Sequence, residues 1–98
     1  MTAHVPVFLA RPGGRIAYEL HGDGPLVVCI PGMGELRASF RHLVPSLVEA
    51  GHRVAVMDLR GHGDSDATFD AYDDPAAGSD VLALMDVLGT EQAVLIGD

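Results

Sequence analysis

Apolar residues along the chain are spaced first as in two β-strands and then as in alternating strands and helices. The segment Val5–Ala10 is mostly apolar and is followed by the turn sequence Arg11-Pro12-Gly13-Gly14. Beyond the turn, apolar and less apolar residues alternate from Ile16 to Leu20, which is the period of a strand with one face buried. These two segments predict an antiparallel hairpin whose second strand is half-buried.

Three later segments are apolar at every position: Leu26–Ile30, Val54–Met57 and Ala93–Ile96. Such runs are typical of strands in a parallel sheet that is covered on both faces. Two stripes of apolar residues with helical spacing lie between them, and each is followed by a glycine that can end a helix. The first is Phe40, Leu43, Val44, Leu47 and Val48, before Gly51, and the second is Val81, Leu84, Met85 and Leu88, before Gly89. Because Pro45 lacks an amide hydrogen, we expect the regular part of the first helix to begin near it.

The order of these elements predicts an α/β fold with an open, mostly parallel sheet behind an N-terminal antiparallel hairpin. If the second helix crosses the opposite face from the first, the last strand lies beside Leu26–Ile30 and the strand order is 1-2-4-3-5. The sheet then has a topological switch point between the strands that end at Ile30 and Ile96. Ligands of open α/β sheets bind at such a point, beyond the carboxyl ends of the strands. We therefore expect the loop Pro31–Gly34 and the segment Gly97-Asp98 to face one cleft.

Composition and charge narrow the possible functions. The chain carries 14 acidic and 6 basic residues, for a net charge of −8; since phosphate binding needs clustered Lys and Arg, we expect no nucleic-acid partner. No run approaches the roughly 18 apolar residues of a membrane span, and residues 1–6 lack the features of a signal peptide. The one cysteine, Cys29, lies in an apolar strand, which predicts a buried, inert thiol and no disulfide. We therefore expect a cytoplasmic protein that binds no membrane.

Two loops carry the most specific sequence patterns. The segment from Asp58 to Ser65, Asp-Leu-Arg-Gly-His-Gly-Asp-Ser, fits D-x-R-G-x-G-x-S, and Pro31-Gly32-Met33-Gly34 directly follows the third strand. Together with the order of elements, these loops resemble the first half of the α/β-hydrolase fold family. The resemblance covers roughly residues 16–98. It implies that residues 1–98 are the N-terminal part of a single domain, and that the remainder of this domain and any cap lie beyond Asp98.

The resemblance implies a serine hydrolase that acts on an ester or related acyl compound, a small molecule, with no cofactor. The family nucleophile lies on a sharp turn written G-x-S-x-G, so the serine is expected directly after Asp98, with the acid and histidine of the triad further along. One N–H donor to the oxyanion comes from the loop after the third strand. Matching the family pattern H-G-x-G or H-G-x-P to this loop places Met33 at the donor position, although Pro31 replaces the usual histidine. The residues expected to contact substrate are Gly32, Met33, Gly34 and Asp98.

The sequence leaves other functions open. Haloalkane dehalogenases and epoxide hydrolases of this fold use an aspartate in the pattern G-x-D-x-G. For Asp98 to be that aspartate, a glycine would have to stand at Ile96, whereas Gly97 fits the first glycine of the turn. A non-catalytic relative of the fold is a further alternative, which the reaction of an activated serine with a fluorophosphonate probe would exclude.

Two more alternatives are weaker. Gly32-Met33-Gly34 with Asp58 resembles a dinucleotide-binding fingerprint, but its third glycine would fall on the bulky Arg37. His62 and Ser65 lie three residues apart on one loop without an orienting acid, so structural roles are favoured for both. No histidine is spaced for shared metal ligation, so we expect no metal.

The last predicted strand, Ala93–Ile96, is apolar on both faces and needs a neighbour on each edge. We therefore expect this chain to be one piece of a longer protein, with the C-terminal remainder as its partner. A folded monomer with the chain's own mass of 10.3 kDa would contradict that expectation.

Overall fold

The computed structural model describes residues 6–97, which form one mixed sheet with a helix on each face. The strands are β1 (Val7–Arg11), β2 (Gly14–His21), β3 (Leu26–Ile30), β4 (Arg53–Met57) and β5 (Val94–Gly97). The helices are α1 (Leu43–Glu49), preceded by a 3-10 turn at Arg37–Phe40, and α2 (Asp74–Val87). The strand order is β1-β2-β4-β3-β5, as the sequence predicted.

The pairing of the strands explains their apolar patterns. β1 and β2 form the predicted antiparallel hairpin, in which Arg11 is opposite Gly14 across a two-residue turn. β2 then pairs antiparallel with β4. β3 lies between β4 and β5 and is parallel to both. Because β3 has a strand on each edge and a helix on each face, its residues from Leu26 to Cys29 are all buried.

The two helices cover opposite faces of the sheet, which is the condition that places β5 beside β3. On one face, the 3-10 turn and α1 enclose a core with β3 and β4: Val27, Cys29, Phe40, Val54 and Val56, flanked by Val44, Leu47 and Val48. On the other face, α2 packs against residues of β1, β2, β3 and β4. Its core consists of Leu9, Ile16, Tyr18, Leu26, Val28, Ala55, Met57, Phe69, Val81 and Leu84.

The first helix differs in detail from its sequence pattern. Phe40 is buried but belongs to the 3-10 turn, and α1 begins at Leu43, two residues before Pro45. The missing amide hydrogen of Pro45 falls in the first helical turn, where no helical partner exists for it. The predicted C-terminal glycines are confirmed, since Gly51 and Gly89 follow the two helices with φ of 91° and 73°.

Three expectations about the strands need correction. β2 is not simply half-buried: Ala17 is fully buried, while Leu20 is 37% exposed. Ala17 is covered because its N–H donates to the Ser65 side chain and its carbonyl accepts from the Asp58 N–H. The last strand is Val94–Gly97, one residue later than predicted, and the first begins at Val7; the predicted start, Val5, is outside the described residues.

Candidate active site

The carboxyl ends of β3 and β5 lie side by side. Ile30 is paired with Gly97, and Cys29 with Ile96. The loop after β3, residues 31–36, therefore leaves the sheet next to the point where β5 ends, which is the convergence that the sequence predicted. Asp98 is outside the described residues, and its expected contact with substrate stays a prediction.

The loop after β3 is a tight turn anchored at its first residue. The side chain of Pro31 is fully buried. The carbonyl of Gly32 accepts a hydrogen bond from the N–H of Glu35 at 2.9 Å. Gly34 has φ of 86°, and a Cβ built there would meet nothing within 4 Å. The backbone conformation, rather than the available space, therefore requires glycine at position 34.

For Met33, the resemblance implies that the backbone N–H, and not the side chain, is the functional group. The side chain is 78% exposed. Among the described residues, the N–H of Met33 has no hydrogen-bond partner, whereas the neighbouring N–H groups of Gly34 and Glu35 are both engaged. A free N–H at a cleft can stabilise a developing oxyanion. This is the role that the resemblance assigned to Met33, and nothing in the loop obstructs it.

His62 is a contact of this loop that the sequence analysis missed. The N–H of Gly34 donates to Nε2 of His62 at 2.9 Å, and Nδ1 of His62 lies 2.9 Å from the carbonyl oxygen of Arg60. His62 and Met33 also line a cavity of about 210 Å³, together with Leu59 and Tyr72. The D-x-R-G-x-G-x-S motif fixes the loop that carries His62, but no pattern in the sequence pairs this position with Gly34.

The far end of the loop is anchored by Asp58, the first residue of that motif. Asp58 is 2% exposed, and its carboxylate accepts from the N–H of Arg37 at 2.9 Å and from the N–H of Asp64 at 3.1 Å. Gly63 passes so close that an added Cβ would lie 2.4 Å from an Asp58 oxygen. The motif glycine is therefore required by a close backbone approach as well as by its φ of 52°.

Arg37 links the loop to three carboxylates. Its guanidinium contacts Asp58, Glu19 at 2.8 Å and Asp64 at 3.0 Å, and its side chain is 11% exposed. Burial alone would lower the pKa of Arg37, but the hydrogen bonds to Glu19 and Asp64 and the charge of Asp58 together raise it. Arg37 therefore stays charged and holds the end of the loop against β2 and β4.

The remaining polar residues of the motif have structural roles, as the sequence analysis favoured. Ser65 is buried, and its hydroxyl donates to the Asp58 carbonyl at 2.8 Å while accepting from Ala17. A hydroxyl used in this way is not a nucleophile. Arg60 donates to the carbonyl of Ala71 and to both oxygens of Asp80. The dinucleotide alternative also fails, because the carboxylate of Asp58 is occupied by Arg37 and by backbone N–H groups.

Residues 6–97 give little support for metal binding, membrane spanning or thiol chemistry. No group of three or more His, Cys, Asp and Glu side chains in this range is placed to hold a metal ion, and no helix in it is long and apolar enough to cross a membrane. Burial raises the pKa of the Cys29 thiol, which keeps it protonated and inert as predicted. A larger cavity of about 810 Å³ lies between β2 and α1, but its lining includes none of residues 31–35.

Comparisons with known proteins agree with this architecture. A family model described as alpha/beta hydrolase fold matches residues 25–98. The chain is 35% identical over 91 residues to bifunctional epoxide hydrolase 2 of Sus scrofa, covering 91% of this chain and 16% of that protein. It is 39% identical over 85 residues to epoxide hydrolase A of Mycobacterium tuberculosis, covering 85% of this chain and 26% of that protein.

A solved structure extends the likeness to three dimensions. The epoxide hydrolase from an endophytic Streptomyces is 41% identical, with a TM-score of 0.85 over 96% of this chain and 29% of that one. The chain thus spans between 16% and 29% of the length of these three proteins. The likeness covers the sheet, both helices and the loops around the cleft.

Proposed function

We propose, since this chain belongs to the α/β-hydrolase fold family, that the whole protein hydrolyses epoxides. The observation that carries this proposal is the 41% identity to the Streptomyces epoxide hydrolase over 96% of the chain at a TM-score of 0.85. The relatives favour the aspartate-nucleophile alternative over the serine esterase that the motifs alone had favoured. The substrate in this proposal is a small epoxide, and no cofactor takes part.

The chemistry of an epoxide hydrolase uses the same oxyanion donor as that of an esterase. A carboxylate nucleophile attacks an epoxide carbon, the C–O bond of the ring breaks, and the ring oxygen takes up a proton. The covalent product is an ester of that carboxylate. Water then attacks the ester carbonyl carbon, which generates an oxyanion before the diol leaves. The free N–H of Met33 suits this oxyanion.

The nucleophile belongs at the residue that follows Asp98 in the whole protein. Gly97 fits the first glycine of the pattern G-x-D-x-G, so Asp98 takes the variable position and the next residue is the aspartate. Asp98 itself is out of register, because Ile96 stands where the first glycine would have to be. The remaining catalytic residues come from the C-terminal remainder of the domain.

A single-turnover experiment with the full-length protein tests this proposal. With excess enzyme, styrene oxide and ¹⁸O-labelled water, a carboxylate nucleophile gives a first diol without ¹⁸O, because the new hydroxyl oxygen comes from the protein. The label appears in the nucleophilic carboxylate instead. Direct attack by water would label the first diol and contradict the covalent mechanism, and a lack of turnover on any tested epoxide would contradict the proposed function.

The serine hydrolase expected from the motifs remains the competing outcome. A fluorophosphonate probe labels an activated serine and leaves an aspartate nucleophile unmodified. We expect no labelling of the full-length protein. Stoichiometric labelling at the residue after Asp98, together with turnover of p-nitrophenyl acetate, would establish the esterase function instead.

A further inference from the structure

The two hydrogen-bond contacts of His62 together fit only one arrangement of hydrogen on its ring. A carbonyl oxygen can only accept a hydrogen bond, so Nδ1, 2.9 Å from the Arg60 carbonyl, must carry the hydrogen. A backbone N–H can only donate, so Nε2, 2.9 Å from the Gly34 nitrogen, must be unprotonated. Only the neutral imidazole with its hydrogen on Nδ1 satisfies both contacts.

The turn that His62 contacts has little side-chain packing of its own. Gly34 has no side chain, and that of Met33 is 78% exposed. The orientation of the peptide groups therefore depends on hydrogen bonds: the Glu35 N–H to the Gly32 carbonyl within the turn, and the Gly34 N–H to His62 across 28 residues of sequence. The second bond ties the turn to the loop that follows β4.

We propose that His62 is a positioning residue of the reaction. Its neutral ring accepts a hydrogen bond from the Gly34 N–H and so holds the turn with the Met33 N–H free to bind the oxyanion. The expected effect of His62 on catalysis rests on the proposed function. His62 itself transfers no proton and touches no reacting atom. Because the Gly34 N–H is occupied, it does not compete with the Met33 N–H for the oxyanion.

The contact with Gly34 requires an unprotonated Nε2, because a hydrogen on that atom would face the Gly34 N–H and turn an attraction into a repulsion. Arg60, Tyr72, Asp73 and Asp74 line the same small cavity as His62. Arg60 is bound to Asp80, and Asp73 caps the helix by accepting from the Ala76 N–H.

Substitutions of His62 in the full-length protein test the proposal. Glutamine can place an amide oxygen near the position of Nε2, whereas asparagine is too short to reach Gly34 and phenylalanine fills the space without an acceptor. We expect kcat for styrene oxide to fall about tenfold in His62→Phe and His62→Asn with little change in KM. His62→Gln should recover most of that loss. The matched control is His42→Phe, because His42 is exposed and its side chain caps nothing.

A further measurement separates positioning from a general structural role. Hydrogen exchange of residues 31–36 should accelerate in His62→Phe but not in His62→Gln, with melting temperatures unchanged.

The outcomes distinguish this proposal from the proposed function. Unaltered kcat and unaltered exchange in a folded His62→Phe variant would overturn the role of His62, whatever the substrate. If the unmodified protein turns over no epoxide, the proposed function fails. The exchange of residues 31–36 then decides alone whether His62 holds the turn, and equal exchange in all variants would overturn it.

Discussion

At the scale of single residues, the group that we propose to stabilise the oxyanion is the backbone N–H of Met33, which side-chain substitution ordinarily leaves in place. Met33→Pro removes this N–H, so we expect kcat for an epoxide to fall about 100-fold while the fold is retained. Met33→Leu keeps the N–H and an exposed apolar side chain, and should retain most of kcat. Steady-state kinetics with circular dichroism checks both variants. Equal kcat values would show that the Met33 N–H stabilises no charge in the transition state.

Gly63 illustrates a second requirement at the residue scale, the close approach of backbone to a buried carboxylate. In Gly63→Ala the new Cβ would lie 2.4 Å from Asp58 Oδ2, at a φ of 52° that alanine disfavours. We expect a loss of about 2 kcal/mol or more in the free energy of unfolding, measured by urea denaturation. The matched control is Gly78→Ala inside α2, where a Cβ meets nothing within 4 Å. It should stabilise the protein by up to about 1 kcal/mol, and equal effects at the two glycines would contradict this account.

At the scale of elements, one buried carboxylate joins α2 to the sheet. Asp80 is 1% exposed and accepts from Arg11 of β1 at 2.9 Å and from Arg60, after β4, at 2.7 Å. Asp80→Ala removes the carboxylate that pairs with both arginines, so we expect a loss of about 3 kcal/mol in the free energy of unfolding. Asp86→Ala, an exposed aspartate of the same helix, should have little effect. Similar unfolding curves for the two variants would show that the Asp80 pairs do not stabilise the docking of α2.

At the scale of the whole molecule, β5 is an edge strand of the sheet that residues 6–97 form. Within the described part of the chain, β5 pairs with β3 alone, and Val94 and Leu95 are 60% and 54% exposed. An exposed apolar edge strand invites pairing with another chain. A polypeptide of residues 1–98 alone should therefore self-associate in sedimentation velocity, and Leu95→Lys should reduce the association. A stable monomer of 10.3 kDa at high concentration would contradict this prediction.

The sequence by itself determined the elements and their order, because each depends on residues that are near one another in the chain. Apolar runs of strand length and stripes of helical spacing specified β3, β4 and both helices, and glycines specified where the helices end. The alternation of strands and helices then left few topologies. The predicted strand order, with the strands that end at Ile30 and Ile96 as neighbours, followed on the condition that the two helices cross opposite faces of the sheet, and the structure confirms this order.

Only the tertiary structure decided which side chains meet across long stretches of sequence. The bond from Gly34 to His62 spans 28 residues, and that from Arg11 to Asp80 spans 69. No local pattern encodes such pairs, because a histidine on a polar loop has many accessible partners until the loops are fixed in space. The same holds for the burial of Ala17 and the exposure of Leu20: burial is set by what covers a strand, and the covering segment comes from elsewhere in the chain.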